Sequence, residues 1–319
     1  MAGRTNKTTK RQAPGALADY RDWIVNLIIH ALIRAAGIFS YERRLALFSW
    51  LTRRVFGPVS GWKKRARANL AFIYPDMAAD KRERLAEESL DNLGRAFMEN
   101  YYVDEFRARI AGSPIGGPGA AELFAALAAG RPVIMVASHF GNYEAPRSAL
   151  FLRGHAIGVI YRPASNSYFQ RHYLGILENG GGPAFQAGDP TGPKFTDYLR
   201  DGGALILAHD LFYFGGEMLP FLGHDTRTAT SAAGLAVRFD ALLVPYFGIR
   251  QPNGCEFELY IDAPVPHSDP VAMTIALNQS LERQIAKRPG QWLWSHRRWL
   301  NLRRQGRTAA ASTRPGPAS

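Results

Sequence analysis

From residue 131 onward, short apolar runs alternate with longer stretches whose apolar residues recur at helical spacing. The first run holds Val133, Ile134 and Val136, bounded by Pro132 on one side and by Ser138 and His139 on the other, and reads as a buried strand. Further apolar runs at 156–161, 204–208, 242–247 and 257–261 are separated by helical patterns at 166–178, 193–200 and 228–239, and 271–287 reads as a closing helix. Such alternation predicts an α/β fold, a mixed, mostly parallel sheet covered by helices. Ahead of it, 122–129 predicts a short helix, 112–119 a loop, and 81–109 a charged helical stretch with Leu85, Leu90, Leu93, Phe97 and Met98 on its buried side.

The most apolar segment is WIVNLIIHALIRAAGIF, 23–39. Asp22, Asn26, His30 and Arg34 fall every fourth residue and form one polar stripe along a helix. A spanning helix needs about 20 predominantly apolar residues, and this run has 17 with three polar residues inside it. The pattern predicts an amphipathic helix in or under a bilayer surface, with an ordinary core helix as the alternative.

Charge sharpens that expectation. In 319 residues, Lys and Arg outnumber Asp and Glu by 39 to 27, a net +12, so the partner should be anionic. Arg43, Arg44, Arg53, Arg54, Lys63, Lys64, Arg65 and Arg67 are interleaved with Leu45, Leu47, Phe48, Trp50, Leu51, Val55, Phe56 and Trp62. That mixture suits a membrane interface, whereas no nucleic-acid-binding motif is present. The expected organisation is a disordered basic arm at 1–16, a helical membrane-associating region at 17–110, an α/β core at 111–304 and a disordered tail at 305–319. The single cysteine, Cys255, excludes an internal disulfide and a cysteine-based metal site.

The candidate chemistry sits at strand ends, where open α/β sheets collect ligands. His139 follows one strand, Tyr161 and Arg162 end another, and His209 and Asp210 follow a third. After His139 the chain turns at Gly141 and Asn142 and becomes helical, so Glu144 opens a helix and can meet His139 across the turn. An imidazole oriented by a carboxylate is the usual arrangement of a general base; the bland alternative is a satisfied polar pair. A metal-dependent phosphohydrolase built on His139, His209 and Asp210 is a rival, and a non-catalytic peripheral membrane protein is another.

Six pieces in order resemble one family: RANLAFIYP (67–75), ASHFGNYE (137–144), YRPASN (161–166), Asp210, PFLGHDTRTATSAAGLA (220–236) and QWLWSHRRW (291–299). Over residues 20–304 the chain resembles the bacterial lipid A biosynthesis acyltransferases, the late or secondary lauroyl and myristoyl transferases, and more widely their relatives that acylate glycolipids. The resemblance implies that His139 and Glu144 are the catalytic HxxxxE pair and that Arg162 and Asp210 line the same site. Asn142, Arg227, His296, Arg297 and Arg298 are then substrate-binding candidates, with Arg162 or backbone N–H groups near Asn142 facing the oxyanion.

The donor so implied is an acyl-carrier-protein or CoA thioester, and the acceptor a hydroxyl of a lipid A precursor at the cytoplasmic face of the inner membrane. No cofactor or metal is called for. Leu211 stands where the family often has Gln, and Leu222 replaces the second Phe of PFFG. The Phe-Pro-Glu-Gly block of glycerol-phosphate acyltransferases is missing.

Overall fold

The computed structural model describes residues 16–299, apart from 165, 190, 191 and 193, together with 302. The expected arm, but for residue 16, and the expected tail lie outside them. The amino-terminal third is helical: α1 (Ala16–Ala36), α2 (Tyr41–Leu51), a π-helical turn at Thr52–Phe56, the single turn α3 (Gly57–Val59), α4 (Trp62–Ile73), α5 (Ala79–Tyr101) and α6 (Val103–Ile110). The stretch expected as one helix over 81–109 is thus two, broken at Tyr102, whose φ of −103° and ψ of 57° leave the helical region.

The remainder alternates: β1 (Ile115–Gly116), α7 (Ala120–Ala128), β2 (Val133–Ala137), α8 (Glu144–Phe151), β3 (Ile157–Tyr161), α9 (Ser167–Asn179), β4 (Ala184–Gln186), α10 (Phe195–Arg200) and β5 (Ala204–Ala208). Then come β6 (Glu217–Phe221), β7 (His224–Thr228), α11 (Ser231–Phe239), β8 (Leu242–Arg250), β9 (Phe257–Ile261) and α12 (Pro270–Lys287). Seven strands form one sheet in the order β1-β9-β8-β2-β5-β3-β4, and only the β8–β9 pairing is antiparallel. The mixed, mostly parallel sheet covered by helices is therefore as expected. The two short strands β1 and β4 and the β6–β7 hairpin were not.

β2 is central, and all five of its residues are buried. Val133, Met135 and Ala137 face one core, with Leu123 of α7 and Leu177 of α9; Ile134 and Val136 face the other, with Ala233 of α11 and Leu277 of α12. This is why the strand reads as a continuous apolar run with no alternation: a parallel strand covered on both faces has no wet side. A third cluster stacks Trp292, Trp294 and Trp299 on Phe140, Phe221 and Phe247.

The basic helical segment departs from its expected use. Leu45 and Phe48 are buried with Met98 of α5, and the charges mostly pair within the protein: Arg44 with Glu105, Arg53 with Asp91, Arg54 with Glu87, Lys63 with Glu83 and Glu87, and Arg67 with Glu83. Much of the surface expected to meet a membrane is thus the underside of an α2–α4 layer on α5. Exposed apolar side chains remain at Ile38, Trp50, Val55 and Val59 and along α1 at Leu17, Tyr20, Trp23, Val25, Leu27 and Ile28. No described helix is long and apolar enough to cross a membrane.

α5 is joined to the sheet by buried charge. The Arg250 guanidinium at the end of β8 donates to both carboxylate oxygens of Glu99, one at 2.7 Å, and its Nε donates to Asn92 Oδ1 at 2.8 Å. Glu99 has no exposed surface. Removing one partner of such a pair strands a buried charge, so Glu99→Ala is expected to cost about 3–5 kcal/mol, read as a lowered midpoint in urea unfolding at unchanged slope.

Candidate active site

β2, β5 and β3 are adjacent and parallel, so their carboxyl ends deliver His139, Asp210 and Arg162 to one edge of the sheet. Between them lies a cavity of about 400 Å³ lined mainly by apolar and aromatic side chains, with His139, Tyr143, Arg162, Tyr173 and Tyr213 among them. The convergence expected from the strand ends is present.

The turn carrying His139 is held by backbone. Gly141 N–H donates to Gln291 O at 3.0 Å, Asn142 N–H to Gly248 O at 2.9 Å, and Leu293 N–H to His139 O at 2.9 Å. Gly141 has φ +55°, and a Cβ there would stand 1.9 Å from Gly248 O; a Cβ on Gly248 would stand 2.0 Å from Asn142 O. Only two glycines let β8 and the turn approach this closely. The clamp thus uses the carboxyl-terminal tryptophan segment on one side and β8 on the other.

His139 Nδ1 lies 2.9 Å from Asp210 Oδ1. Asp210 Oδ2 accepts the His139 backbone N–H at 2.9 Å and Trp292 Nε1–H at 3.0 Å. Burial opposes the charge on Asp210, yet His139, its hydrogen bond and the neighbouring His296 and His209 hold the carboxyl well below the usual range. An ionised carboxylate only accepts, so Nδ1 carries the proton and Nε2 keeps its lone pair. Burial also works against a charged His139, but the Asp210 charge and hydrogen bond prevail and its pKa is raised. The Asp210 side chain is wholly buried whereas 27 % of the His139 side chain is exposed, so the imidazole can be reached and its partner cannot.

Glu144, expected to be the orienting carboxylate, is turned elsewhere. Its Oε2 accepts from Arg147 Nη1 at 3.0 Å, and Arg147 also donates to the carbonyls of Ile157 and Leu177. Among the described residues no hydrogen bond joins it to His139. Its charge is felt behind the cavity wall: after burial, it is the next largest influence raising the hydroxyls of Tyr143, Tyr173 and Tyr246. The arrangement differs from the expected one because Glu144 opens α8 beside Arg147, whereas Asp210, after the adjoining β5, lies against the imidazole.

Other expected residues divide. Arg162 is exposed at the cavity, its guanidinium 5.5 Å from the Tyr213 ring. Asn142 is fully buried, capping Glu144 N–H and donating to Glu99 and Asn100, so its amide is committed to holding the turn. Arg298 is buried too, donating to Leu211 O and Thr228 Oγ1, which makes it a support of the loop after Asp210. Arg227 and Arg297 are exposed outside the cavity lining. The backbone N–H groups of residues 139–142, 144 and 145 all donate within the protein, which leaves Arg162 as the better placed of the two kinds of oxyanion donor.

His296 stands edge to face with His139 at 4.5 Å, and burial followed by His139 pushes its pKa down to about 3. His139, Asp210 and His296 bring one ligand atom each within 4.8 Å of one another, the group of described residues able to hold a metal. Both Asp210 oxygens, however, are already spent on N–H donors. His209 is not part of the group; it is buried, and burial pushes its pKa down to about 4. Trp292 escaped notice as a site residue, although it lies in the quoted QWLW piece; a Trp N–H buried beside a carboxylate would have been the signal.

Residues 9–301 match the family described as bacterial lipid A biosynthesis acyltransferase. The chain belongs to that family. It is 28% identical over 264 residues to the phosphatidylinositol mannoside acyltransferase of Mycobacterium tuberculosis, covering 80% of this chain and 82% of that protein. It is 26% identical over 267 residues to a lipid A biosynthesis acyltransferase of Haemophilus influenzae, covering 79% and 81%, and 24% identical over 250 residues to the lipid A biosynthesis lauroyltransferase of Escherichia coli, covering 74% and 79%. This acyltransferase therefore has similar relatives named for different glycolipid acceptors.

The two carboxylates are separable by experiment. A base at His139 would have to be neutral to work, so kcat/KM should then rise with pH through an apparent pKa above about 6.5, the ordinary histidine value. Asp210→Asn removes what raises it and leaves burial, so the acid limb moves to lower pH while the maximum falls about 10²- to 10⁴-fold. Glu144→Gln should leave the limb in place and act mainly on stability, because it strands buried Arg147. The raised His139 pKa also means that its ion pair stabilises the fold fully below about pH 6.5 and less as pH rises through the folded value.

Proposed function

We propose that this enzyme transfers a fatty acyl chain from an acyl-carrier-protein or CoA thioester to a hydroxyl of a lipid A precursor or a related glycolipid. The observation that carries this reading is the His139–Asp210 pair set at one end of a largely apolar cavity. An acyl chain suits such a cavity, and a hydroxyl needs a base before it will attack a thioester.

In this reading the acceptor hydroxyl gives its proton to His139 Nε2 as its oxygen attacks the thioester carbonyl. The Asp210 carboxylate stabilises the imidazolium through Nδ1–H. Arg162, at the cavity, is the donor available to the oxyanion of the tetrahedral intermediate. Collapse breaks the C–S bond, and the imidazolium returns its proton to the departing thiolate. The acceptor's phosphate or sugar-acid groups would meet the exposed Arg227 and Arg297. Glu144 maintains the wall behind the tyrosines.

The acceptor's lipid nature and the exposed apolar residues of α1 support a peripheral position on the cytoplasmic face of the bacterial inner membrane. A metal has no step to perform here, so activity should survive dialysis against a chelator.

Transfer should be direct. Burial raises the Cys255 thiol away from thiolate formation, and Cys255 lies in the β8–β9 turn. Ser138 is buried, and the base beside it is already aligned by Asp210. His139→Ala is expected to abolish transfer in a folded protein, and intact-mass analysis of wild type quenched after incubation with acyl donor alone should find no adduct. A Ser138 or Cys255 ester formed as fast as turnover would instead require a two-step route.

A further inference from the structure

Between β5 and β6 the chain exposes Leu211, Tyr213 and Phe214, and β6 adds Met218. Scattered exposed apolar side chains are ordinary, but these four fall within eight residues and Phe214 is 81% exposed. The same loop lines the catalytic cavity through Leu211, Phe212 and Tyr213, so its outer face is the cavity's lip.

The loop is built to hold these side chains outward. Arg298 Nη1 donates to Leu211 O at 3.0 Å, Tyr213 N–H to Arg227 O at 3.2 Å, and Gly216 N–H to Tyr213 O at 2.9 Å. Two cations stand against the rings: Arg162 is 5.5 Å from the Tyr213 ring centre, and Arg227, opposite Met218 in the hairpin, is 6.0 Å from that of Phe214. The exposed acids of the hairpin are Glu217 and Asp225, the latter opposite Pro220 towards the far end. Aromatic rings interleaved with arginine match the headgroup layer of an anionic bilayer, where rings sit at the interface and guanidinium groups meet phosphate.

We propose that loop 211–216, with Phe214 at its tip, inserts into an anionic bilayer and seats the cavity mouth on the membrane surface. This rests on the reading that the acceptor is a membrane lipid, whose hydroxyl must reach His139 while its chains stay in the bilayer. The lip is distinct from α1, which is tied to another part of the cavity's lining: Tyr168 of α9 donates to Asp19, and α9 lines the cavity with Tyr173 and Leu177. Two attachments on two walls orient the mouth, whereas one would leave it free to swivel.

The test labels Phe214→Cys, in a Cys255→Ser background, with an environment-sensitive fluorophore, and uses Glu122→Cys on α7 as the control. On phosphatidylglycerol-containing vesicles the probe at 214 should shift to the blue and be quenched by spin-labelled lipid, and the control should not. Phe214→Asp should lower transfer to acceptor embedded in those vesicles by about tenfold or more, a loss of the order of one buried ring, yet leave transfer to detergent-dispersed acceptor unchanged. A probe that stays in water on vesicle-bound protein, or an equal loss in vesicles and detergent, overturns the proposal; the latter is what a protein-docking or purely structural role predicts. If wild type acylates no lipid hydroxyl while the probe is still quenched, the acyl-acceptor reading fails and the lip stands.

Discussion

One buried carboxylate organises the site. Asp210 has no exposed surface, and a charge so placed is tolerable only when its oxygens are satisfied. They are satisfied by three donors from two parts of the chain: the imidazole and the backbone N–H of His139 after β2, and the indole of Trp292. Losing any one donor would leave the carboxylate short, so the same bonds that orient the His139 imidazole also hold β2, β5 and the tryptophan segment together.

Around that centre the protein uses buried cations as braces. Arg250 joins α5 to β8 through Glu99, which also accepts from Asn142 in the turn after His139. Arg147 joins α8 to the start of β3 and to α9 through the carbonyls of Ile157 and Leu177, its charge met by Glu144 on its own helix. Arg298 ties the loop after Asp210 to β7. Guanidinium groups suit this work because each offers five donors in a fixed fork and stays charged. The result is a braced rim around a largely apolar cavity, with the partly exposed imidazole of His139 set against the space a substrate would fill.

These braces explain why family-wide motifs are a poor guide to individual roles. The QWLWSHRRW piece holds an indole bonded to Asp210, an imidazole beside His139, an exposed arginine and a buried one, all within nine residues. Seen only as a motif, they look like a substrate-binding patch. Seen folded, most of them build the wall.

The α/β alternation, the central apolar strand and the polar residues at strand ends were legible from the chain alone, because hydrophobic period and turn residues act locally. The place of His139 at the edge of the cavity was legible too, since a polar residue that ends a parallel strand lies where such sheets open to ligands. Which carboxylate serves it was not: Glu144 is near in sequence, but β5 lies beside β2 in the sheet and carries Asp210 across 71 positions to the imidazole. Likewise a run of arginines shows its charge in sequence, but not whether each charge faces water or an acid. For Arg44, Lys63 and Arg298 that was decided by which helix, strand or loop packed against them, a matter of tertiary contact that no local pattern encodes.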